Sequence, residues 1–178
     1  SLLTLRDLSD GELLYMLDLA ARLKARKRAG IRGHLLAGKA IAMVFEKMST
    51  RTRCATSVAV ADEGGSADYL SSHDIHLGKK ESPADTARVL GRMYDGILFR
   101  GYKQQTVELL ARYSGIPVWN GLTDESHPTQ TLADLINTLP RLNARDGSTH
   151  VGFVGEVGAN LQYRVTEWLT LNGGYRFL

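Results

Sequence analysis

The sequence predicts an α/β fold, a three-layer, open, mostly parallel sheet flanked by helices, with a short β-hairpin-like tail at the C-terminus. One observation is that, after a first helix, short apolar runs alternate with segments of helical period, which is typical of parallel strands joined by crossover helices. A second observation is that Ser or Pro begins several helical segments, while Gly ends others. A third is a change near the C-terminus to strict alternation of apolar and polar residues.

Composition and charge limit the class of protein. The 178 residues suffice for one domain, or for one domain with part of another. A net charge of +3, with Lys and Arg spread along the chain, does not predict nucleic-acid binding. The single cysteine, Cys54, excludes an intrachain disulfide and a Cys-based zinc site. The sequence shows neither a run of ~20 apolar residues nor a secretory signal pattern, so we expect a cytoplasmic protein with no membrane contact.

The helices and strands can be placed one by one. The first helix begins after Ser9, which has Glu12 at capping-box spacing, and it ends at Gly30. Ser82 and Pro83 form a typical start for a later helix. The pattern predicts strands at 39–46, 66–70, 95–100 and 116–120, helices at 51–63, 82–93, 105–115 and 127–139, and a fifth apolar run at 149–155.

The last residues, 161–178, depart from this rhythm. Leu161, Tyr163 and Val165 alternate with polar residues, and the alternation resumes at Leu169 after a short polar break. A period of two on both sides of a break predicts a β-hairpin and not a crossover helix.

Polar and charged residues cluster where three of the predicted strands end. Ser49–Arg53 follows the first strand, Arg100 closes the third, and His127–Gln130 follows the fourth. In open α/β sheets ligands bind beyond the carboxyl ends of the strands, where helix N-termini converge. We therefore expect these groups to form a site for a small ligand.

The motif S-T-R-T-R at residues 49–53 suits a phosphate group. The first N–H groups of a helix lack internal partners and favour negative charge. The hydroxyls of Ser49, Thr50 and Thr52 add donors, and Arg51 adds a planar fork that matches phosphate oxygens. The alternative is a capped helix whose arginines form surface salt bridges.

The remaining polar groups suit a carbonyl amide. A neutral His127 can polarise a carbonyl, and the side-chain oxygen of Gln130 can accept from an NH2 group. The alternative for this H-P-T-Q motif is an ordinary polar helix start. Arg100 closes an apolar strand and so requires a polar or anionic partner. His76 lies in a polar loop, where it either contributes to the site or is simply solvated.

Four segments resemble the carbamoyl-phosphate-binding half of the ornithine carbamoyltransferase family. They are FEKMSTRTRCA, DIHLGKKES, DTARVLGRMYDGILFRGY and WNGLTDESHPTQTLADL, and they occur in the order and spacing of that family over residues 2–146. S-T-R-T-R and H-P-T-Q are shared with aspartate carbamoyltransferase. The FEK before the first motif, the Cys54-Ala55 after it and DTARVLGRMYDG favour the ornithine enzyme.

The resemblance implies roles for individual residues. Arg51, Arg100 and His127 would be catalytic, with Arg51 holding the phosphate and the other two holding the carbonyl oxygen. Gln130 would bind the carbamoyl nitrogen, while Arg53 would be structural. The implied residues that bind carbamoyl phosphate are Ser49, Thr50, Arg51, Thr52, His76, Arg100, His127 and Gln130.

The resemblance also implies a reaction and an assembly. A carbamoyl group would pass from carbamoyl phosphate to the δ-amine of ornithine, giving citrulline and phosphate, as in arginine biosynthesis. Fixed donors would stabilise the charge that develops, so no metal ion and no cofactor is required. His76 would reach the site of a neighbouring subunit in a homotrimer.

The sequence departs from the family after the first half. The D-x-x-x-S-M-G segment and the H-C-L-P loop, through which the family binds the amino acid, are absent from these 178 residues. We therefore expect a carbamoyl-phosphate-binding domain at residues 1–148, and at 149–178 a truncated start of the second domain or an unrelated β-hairpin tail. Such a chain would be incomplete as a catalyst. The alternatives are a non-catalytic fragment that binds carbamoyl phosphate or phosphate, and a fragment of aspartate carbamoyltransferase.

Overall fold

The computed structural model describes residues 1–71, 75, 77, 81–143, 161–166 and 169–173. The helices among these residues are α1 (Asp10–Arg28), α2 (Thr50–Asp62), α3 (Pro83–Met93), α4 (Gln104–Ser114) and α5 (Pro128–Asn143). The strands are β1 (Ala40–Phe45), β2 (Ser66–Ser71), β3 (Gly96–Arg100), β4 (Val118–Leu122), β5 (Leu161–Thr166) and β6 (Leu169–Gly173). The α/β prediction is confirmed, and these elements match the predicted ones to within a few residues.

Side-chain caps place the starts of several helices. Ser9 and Glu12 form a reciprocal capping box at α1. Ser49 caps α2 and Ser82 caps α3, each accepting from a main-chain N–H of the first turn. These bonds satisfy donors that a helix start leaves without intrahelical partners. Local sequence therefore sets where each of these helices begins.

The first four strands form one parallel sheet in the order β2-β1-β3-β4. The chain leaves β1 toward β2 on one side and later returns to place β3 on the other side. This reversal is a topological switch point, beside which open α/β sheets bind their ligands. In the register of β1 and β3, Phe45 pairs with Arg100, so the two strands end side by side.

The helices cover the sheet on both faces. One face carries Ala42, Val44 and Phe99, which pack with residues of α3 and α4 in a continuous apolar cluster. On the opposite face, leucines of α1 and α5 pack together with Trp119, and Ser57 of α2 lies 3.9 Å from the sulfur of Met43. The strands thus alternate between two apolar interfaces, as expected of a three-layer fold.

The N-terminal segment makes a contact that the sequence did not predict. Leu2 pairs with Trp119 as a parallel bridge at the outer edge of β4, and a short 3₁₀ helix, Leu5–Asp7, follows it. The N–H of Leu2 donates to the carbonyl of Val118 at 2.9 Å, and the N–H of Asn120 donates to the carbonyl of Leu2 at 2.9 Å. The edge strand is therefore partly covered.

The predicted C-terminal hairpin is confirmed. Strands β5 and β6 pair antiparallel, with Tyr163 opposite Leu171. The apolar run predicted at 149–155 lies outside the described residues. Among the residues that the structure describes, no helix combines the length and the apolar composition needed to cross a bilayer.

Close packing of α3 on α4 provides a test of the fold. A Cβ added to Gly91 would lie far inside van der Waals contact with the carbonyl oxygen of Ser114, which is main chain and cannot turn away. We expect Gly91→Ala to lower the free energy of unfolding by roughly 1–3 kcal/mol, because the two helices must separate. Urea denaturation measures this. Gly11→Ala is the matched control, since a Cβ there meets nothing within 4 Å, and it should leave stability unchanged or raise it. Equal midpoints for the two variants would contradict the packing described.

Candidate functional site

The candidate site is built where β1 and β3 end together. Beyond the last pair of these strands, the N–H of Glu46 donates to the carbonyl of Arg100 at 2.8 Å. The carboxylate of Glu46 in turn accepts from the N–H of Tyr102 at 3.1 Å. The loops that follow the two strands are therefore bonded to each other before α2 and α4 begin.

The start of α2 presents the S-T-R-T-R motif at this edge. The hydroxyl of Ser49 accepts from the N–H of Thr52 at 3.3 Å and lies 3.2 Å from the hydroxyl of Thr52. Thr50 is the first residue of the helix, and both Thr50 and Arg51 are exposed to solvent. The arrangement joins a helix N-terminus, a hydroxyl pair and an exposed guanidinium, which together favour an anion.

Arg100, the last residue of β3, is bonded to α2 and to β4. Its Nη1 donates to Thr52 Oγ1 at 3.3 Å and to the carbonyl of Gly121 at 3.4 Å. The second contact depends on a register shift, because Phe99 pairs with Asn120 while Arg100 pairs with Leu122, leaving Gly121 as an extra residue. Arg100 therefore has the polar partners that its position at the end of an apolar strand predicted.

His127 lies directly before α5, facing the same region. Burial lowers the pKa of its imidazole, the positive charge of Arg100 lowers it further, and the carboxylate of Asp134 partly offsets both, so that the pKa is about 4. The imidazole is accordingly neutral at pH 7, which is the form that a group polarising a carbonyl requires. Its Nδ1 lies 3.3 Å from the hydroxyl of Thr129, a contact in which either atom can be the donor.

Gln130 is exposed on the first turn of α5. Its Nε2 donates to Oδ1 of Asp134 at 2.8 Å. This bond orients the amide so that Oε1, the acceptor atom, points away from Asp134. An acceptor is the group that an NH2 of a ligand requires.

One cavity of about 1060 Å³ brings several of these side chains together. Its lining includes five residues from the starts of α2 and α5, namely Arg51, Thr52, His127, Thr129 and Gln130. Its remainder is largely apolar and runs between α1, α2, α5 and the segment between α1 and β1.

Arg53 is held differently from Arg51. Its guanidinium stacks on the ring of Tyr69 at 3.9 Å from the centroid, and Tyr69 in turn packs against Phe45 at 5.1 Å. This cation–π contact attaches α2 to the edge strand β2. A structural role for Arg53 agrees with what the resemblance implied.

One predicted site residue lies outside the described residues, and other residues near the site were missed. His76, and with it Lys79 and Lys80, is outside the described part of the chain. Sequence reasoning gave no role to Thr129, although it stands inside H-P-T-Q, between two residues that were singled out. It also missed the ion pair of Lys47 with Asp124, which joins the loops after β1 and β4. Since these two residues are far apart in sequence, no local signal indicates the pair.

The chain resembles known proteins over most of its length. A family model described as "Aspartate/ornithine carbamoyltransferase, carbamoyl-P binding domain" matches residues 1–139. An ornithine carbamoyltransferase of Caldanaerobacter subterraneus is 54% identical over 161 residues, covering 90% of this chain and 51% of the relative. A catabolic ornithine carbamoyltransferase of Bacillus cereus is 62% identical over 136 residues, covering 76% of this chain and 41% of the relative. The chain thus spans about half the length of the curated relatives it matches.

Solved structures agree with these matches. The ornithine carbamoyltransferase of Pyrococcus furiosus superposes with a TM-score of 0.78 at 44% identity, covering 80% of this chain and 46% of that one. An N-acetyl-L-ornithine transcarbamylase superposes with a TM-score of 0.71 at 31% identity, covering 79% of this chain and 47% of that one.

The sequence match to the Caldanaerobacter subterraneus enzyme covers 90% of the chain, so it extends past residue 148. The domain boundary expected at residue 148 remains a prediction.

The electrostatics of His127 make a prediction that can be checked by titration. We expect its ring protons, followed by NMR, to titrate near pH 4, whereas an ordinary histidine titrates near 6.5. Arg100→Gln should raise this midpoint, because it removes a neighbouring cation, and Asp134→Asn should lower it, because it removes a carboxylate. His127→Gln identifies the resonance.

The same pKa sets the sign of a pH effect on stability. Because the folded pKa lies below 6.5, the unfolded chain takes up this proton first as the pH falls. The contribution of His127 to stability is therefore complete above about pH 6.5 and is lost as the pH falls toward 4. The slope of unfolding free energy against pH should be shallower in His127→Gln. An NMR titration midpoint near pH 6.5 for His127 in the unmutated protein would contradict a buried, neutral imidazole.

Proposed function

Because this chain belongs to the aspartate/ornithine carbamoyltransferase family through its carbamoyl-phosphate-binding domain, we propose that it binds carbamoyl phosphate at the edge formed by β1, β3 and β4. We further propose that the bound carbamoyl group is destined for the δ-amine of ornithine. The observation that carries this proposal is that Arg51, Thr52, His127 and Gln130 line one cavity, while Arg100 is bonded to Thr52.

The phosphate would bind at the start of α2. Main-chain N–H groups of the first turn and the hydroxyls of Ser49, Thr50 and Thr52 would donate to its oxygens, and Arg51 would add a bidentate, charge-assisted contact. The helix dipole favours the same charge. In this pose the phosphate is held before transfer and stabilised as a leaving group during it.

The carbonyl oxygen would lie between Arg100 and His127. As the amine attacks the carbonyl carbon, the C–N bond forms and negative charge grows on the carbonyl oxygen. The bond to the phosphate oxygen then breaks, and the departing phosphate can accept the proton that the amine loses. A guanidinium and a neutral imidazole N–H fixed at the carbonyl oxygen stabilise its charge more than they stabilise the substrate. If the hydroxyl of Thr129 donates to Nδ1, the imidazole proton resides on Nε2 and is available to the oxygen. Gln130 would accept from the carbamoyl NH2.

The choice of amine rests on the relatives. Those named ornithine carbamoyltransferase share 51–62% of aligned residues with this chain, which favours ornithine over aspartate as acceptor. The same half of the fold also occurs in N-acetyl-L-ornithine transcarbamylases. We therefore propose that carbamoyl phosphate is bound by the described residues, while the groups that select ornithine lie outside them.

The family resemblance also leads us to propose an assembly, a location and a metabolic role for this protein. A homotrimer would let His76 of one subunit reach the site of the next, and light scattering measures that assembly. A cytoplasmic location would be tested by cell fractionation. A place in arginine biosynthesis would be tested by complementation of a strain that requires citrulline.

The phosphate contact predicts a contrast between two arginines. Arg51→Ala should weaken binding of carbamoyl phosphate or inorganic phosphate by about 1.5–3 kcal/mol, because it removes a charge-assisted hydrogen bond. Arg53→Ala is the matched control, since its guanidinium stacks on Tyr69 and should contribute to stability more than to affinity. Titration calorimetry at fixed ionic strength measures both. Equal affinity in Arg51→Ala and the parent would refute the assignment of the phosphate site.

Turnover separates the proposed transfer from binding alone. We expect the 178-residue polypeptide to bind carbamoyl phosphate without appreciable citrulline formation, because transfer requires the amine within ~3–3.5 Å of the carbonyl carbon. Neither family motif that would place an amino acid there occurs in these residues. The measurement is citrulline formed with and without ornithine. Ornithine-dependent release of phosphate at an ordinary enzymatic rate would show that this polypeptide already contains an amine site.

A further inference from the structure

We propose that Gln104, Asn120 and Thr123 are positioning residues of this site, forming a buried hydrogen-bonded network that holds Ser126, the residue before His127, and so aims the imidazole of His127. The inference rests on the proposed function only in taking His127 as a group that contacts the ligand. None of the three residues lines the cavity described above.

The network lies almost entirely out of solvent. The exposed fractions are 6% for Gln104, 0% for Asn120 and 3% for Thr123. Oε1 of Gln104 accepts from Oγ1 of Thr123 at 2.8 Å and from Nδ2 of Asn120 at 3.2 Å. Each residue comes from a different part of the sheet edge, namely the first residue of α4, strand β4 and the loop after β4. The network therefore joins three elements that meet beside the site.

Asn120 extends this network to the N-terminal segment. Its Nδ2 donates to the carbonyl of Leu3 at 3.0 Å, while Thr123 and Ser126 lie farther away, each at 3.4 Å. An NH2 group has only two hydrogens, so the shorter contacts to Leu3 and Gln104 are the ones it can make well. The amide of Asn120 thereby ties the segment that covers β4 to the start of α4.

Thr123 holds both main-chain polar groups of Ser126. The N–H of Ser126 donates to Oγ1 of Thr123 at 3.1 Å, and the N–H of Thr123 donates to the carbonyl of Ser126 at 2.8 Å. The carbonyl of Ser126 and the nitrogen of His127 belong to the same planar peptide unit. The main-chain N–H of Thr123 fixes that carbonyl, and the hydroxyl of Thr123 fixes the N–H of Ser126 on the other side of the same residue. The two bonds together set the direction in which the chain enters His127.

The other side of His127 is fixed as well. Its carbonyl accepts from the N–H and from the hydroxyl of Thr131, both at 3.1 Å. The remaining freedom lies in the side chain, which contacts Thr129. A main chain held on both sides leaves the imidazole few directions to point, which is what a preorganised donor requires.

The polar side chains of the network lower stability, and a need to fill space does not explain why they are polar. Nε2 of Gln104 and Oδ1 of Asn120 are buried and have no hydrogen-bond partner among the described residues. A half-satisfied buried network is destabilising, whereas apolar groups of the same shape can be nearly neutral for stability. A core that needed only volume at these positions would be served by aliphatic side chains. What the polar side chains add is a directional bond to the N–H of Ser126, made by a hydroxyl that the amide of Gln104 orients.

The test compares three substitutions in the 178-residue polypeptide. Thr123→Val keeps the shape and removes the hydroxyl, whereas Thr123→Ser keeps the hydroxyl. Ser114→Ala is the matched control at the opposite end of α4. Ser114 is also buried, and its hydroxyl likewise accepts from the main-chain N–H of a nearby residue, Ile116, while donating to the Ile116 carbonyl. The first readout is the NMR titration midpoint of His127, which needs no ligand, and the second is affinity for carbamoyl phosphate by calorimetry.

We expect Thr123→Val to move the titration of His127 from about 4 toward 6.5, because an imidazole released toward solvent regains its hydration. Affinity for carbamoyl phosphate should fall roughly tenfold or more, because a misplaced imidazole no longer meets the ligand in the right geometry. Thr123→Ser should restore both values. Ser114→Ala should lower the thermal midpoint without moving the titration.

Three outcomes would contradict the positioning role. A folded Thr123→Val with the titration of the parent overturns the proposal, as does an equal shift in Ser114→Ala. If Thr123→Val does not fold, Gln104→Met, which removes the shared acceptor at similar length, is measured in its place. Loss of folding in both variants, with Ser114→Ala folded, would assign the network to stability and overturn a positioning role. A parent that binds no carbamoyl phosphate contradicts the proposed function alone, since the titration still tests the positioning.

Discussion

The parallel pairing of β1 with β3 is the constraint on which the rest of the site depends. It brings Phe45 and Arg100 side by side at one edge of the sheet, so the segments after these residues must leave from the same place. The loops are then joined through Glu46, and α2 starts within reach of Arg100. If β3 paired elsewhere, the residues that form the phosphate and carbonyl ends of the site would not meet.

Electrostatics at this edge follow from the same geometry. A helix N-terminus and two guanidinium groups contribute positive potential at this edge. Arg100 stands close enough to help keep the imidazole of His127 neutral, and burial acts in the same direction. The edge therefore offers cations for a phosphate and, beside them, a neutral donor for a carbonyl. One set of contacts accounts for both properties.

Most of the fold was accessible from the sequence because its signals are local. The capping pair Ser9 and Glu12, the Ser82-Pro83 start and the apolar runs each determine an element from a few neighbouring residues. The features that escaped prediction are non-local. The bridge from Leu2 to Trp119 and the bulge at Gly121 arise when separate segments meet, and neither leaves a mark in its own stretch of sequence.

The sequence by itself determined which chemical groups this protein brings to its site and at which strand ends they stand, because helix starts and strand ends are set by short-range patterns. Only the tertiary structure decided which groups are neighbours. Arg100 contacts Thr52 across 48 residues of chain, and the neutrality of His127 depends on burial and on a cation from another strand. The amide and hydroxyl network behind His127 likewise joins segments distant in sequence. Hydrogen bonds and pKa values depend on distance and solvent access in space, which sequence separation does not measure.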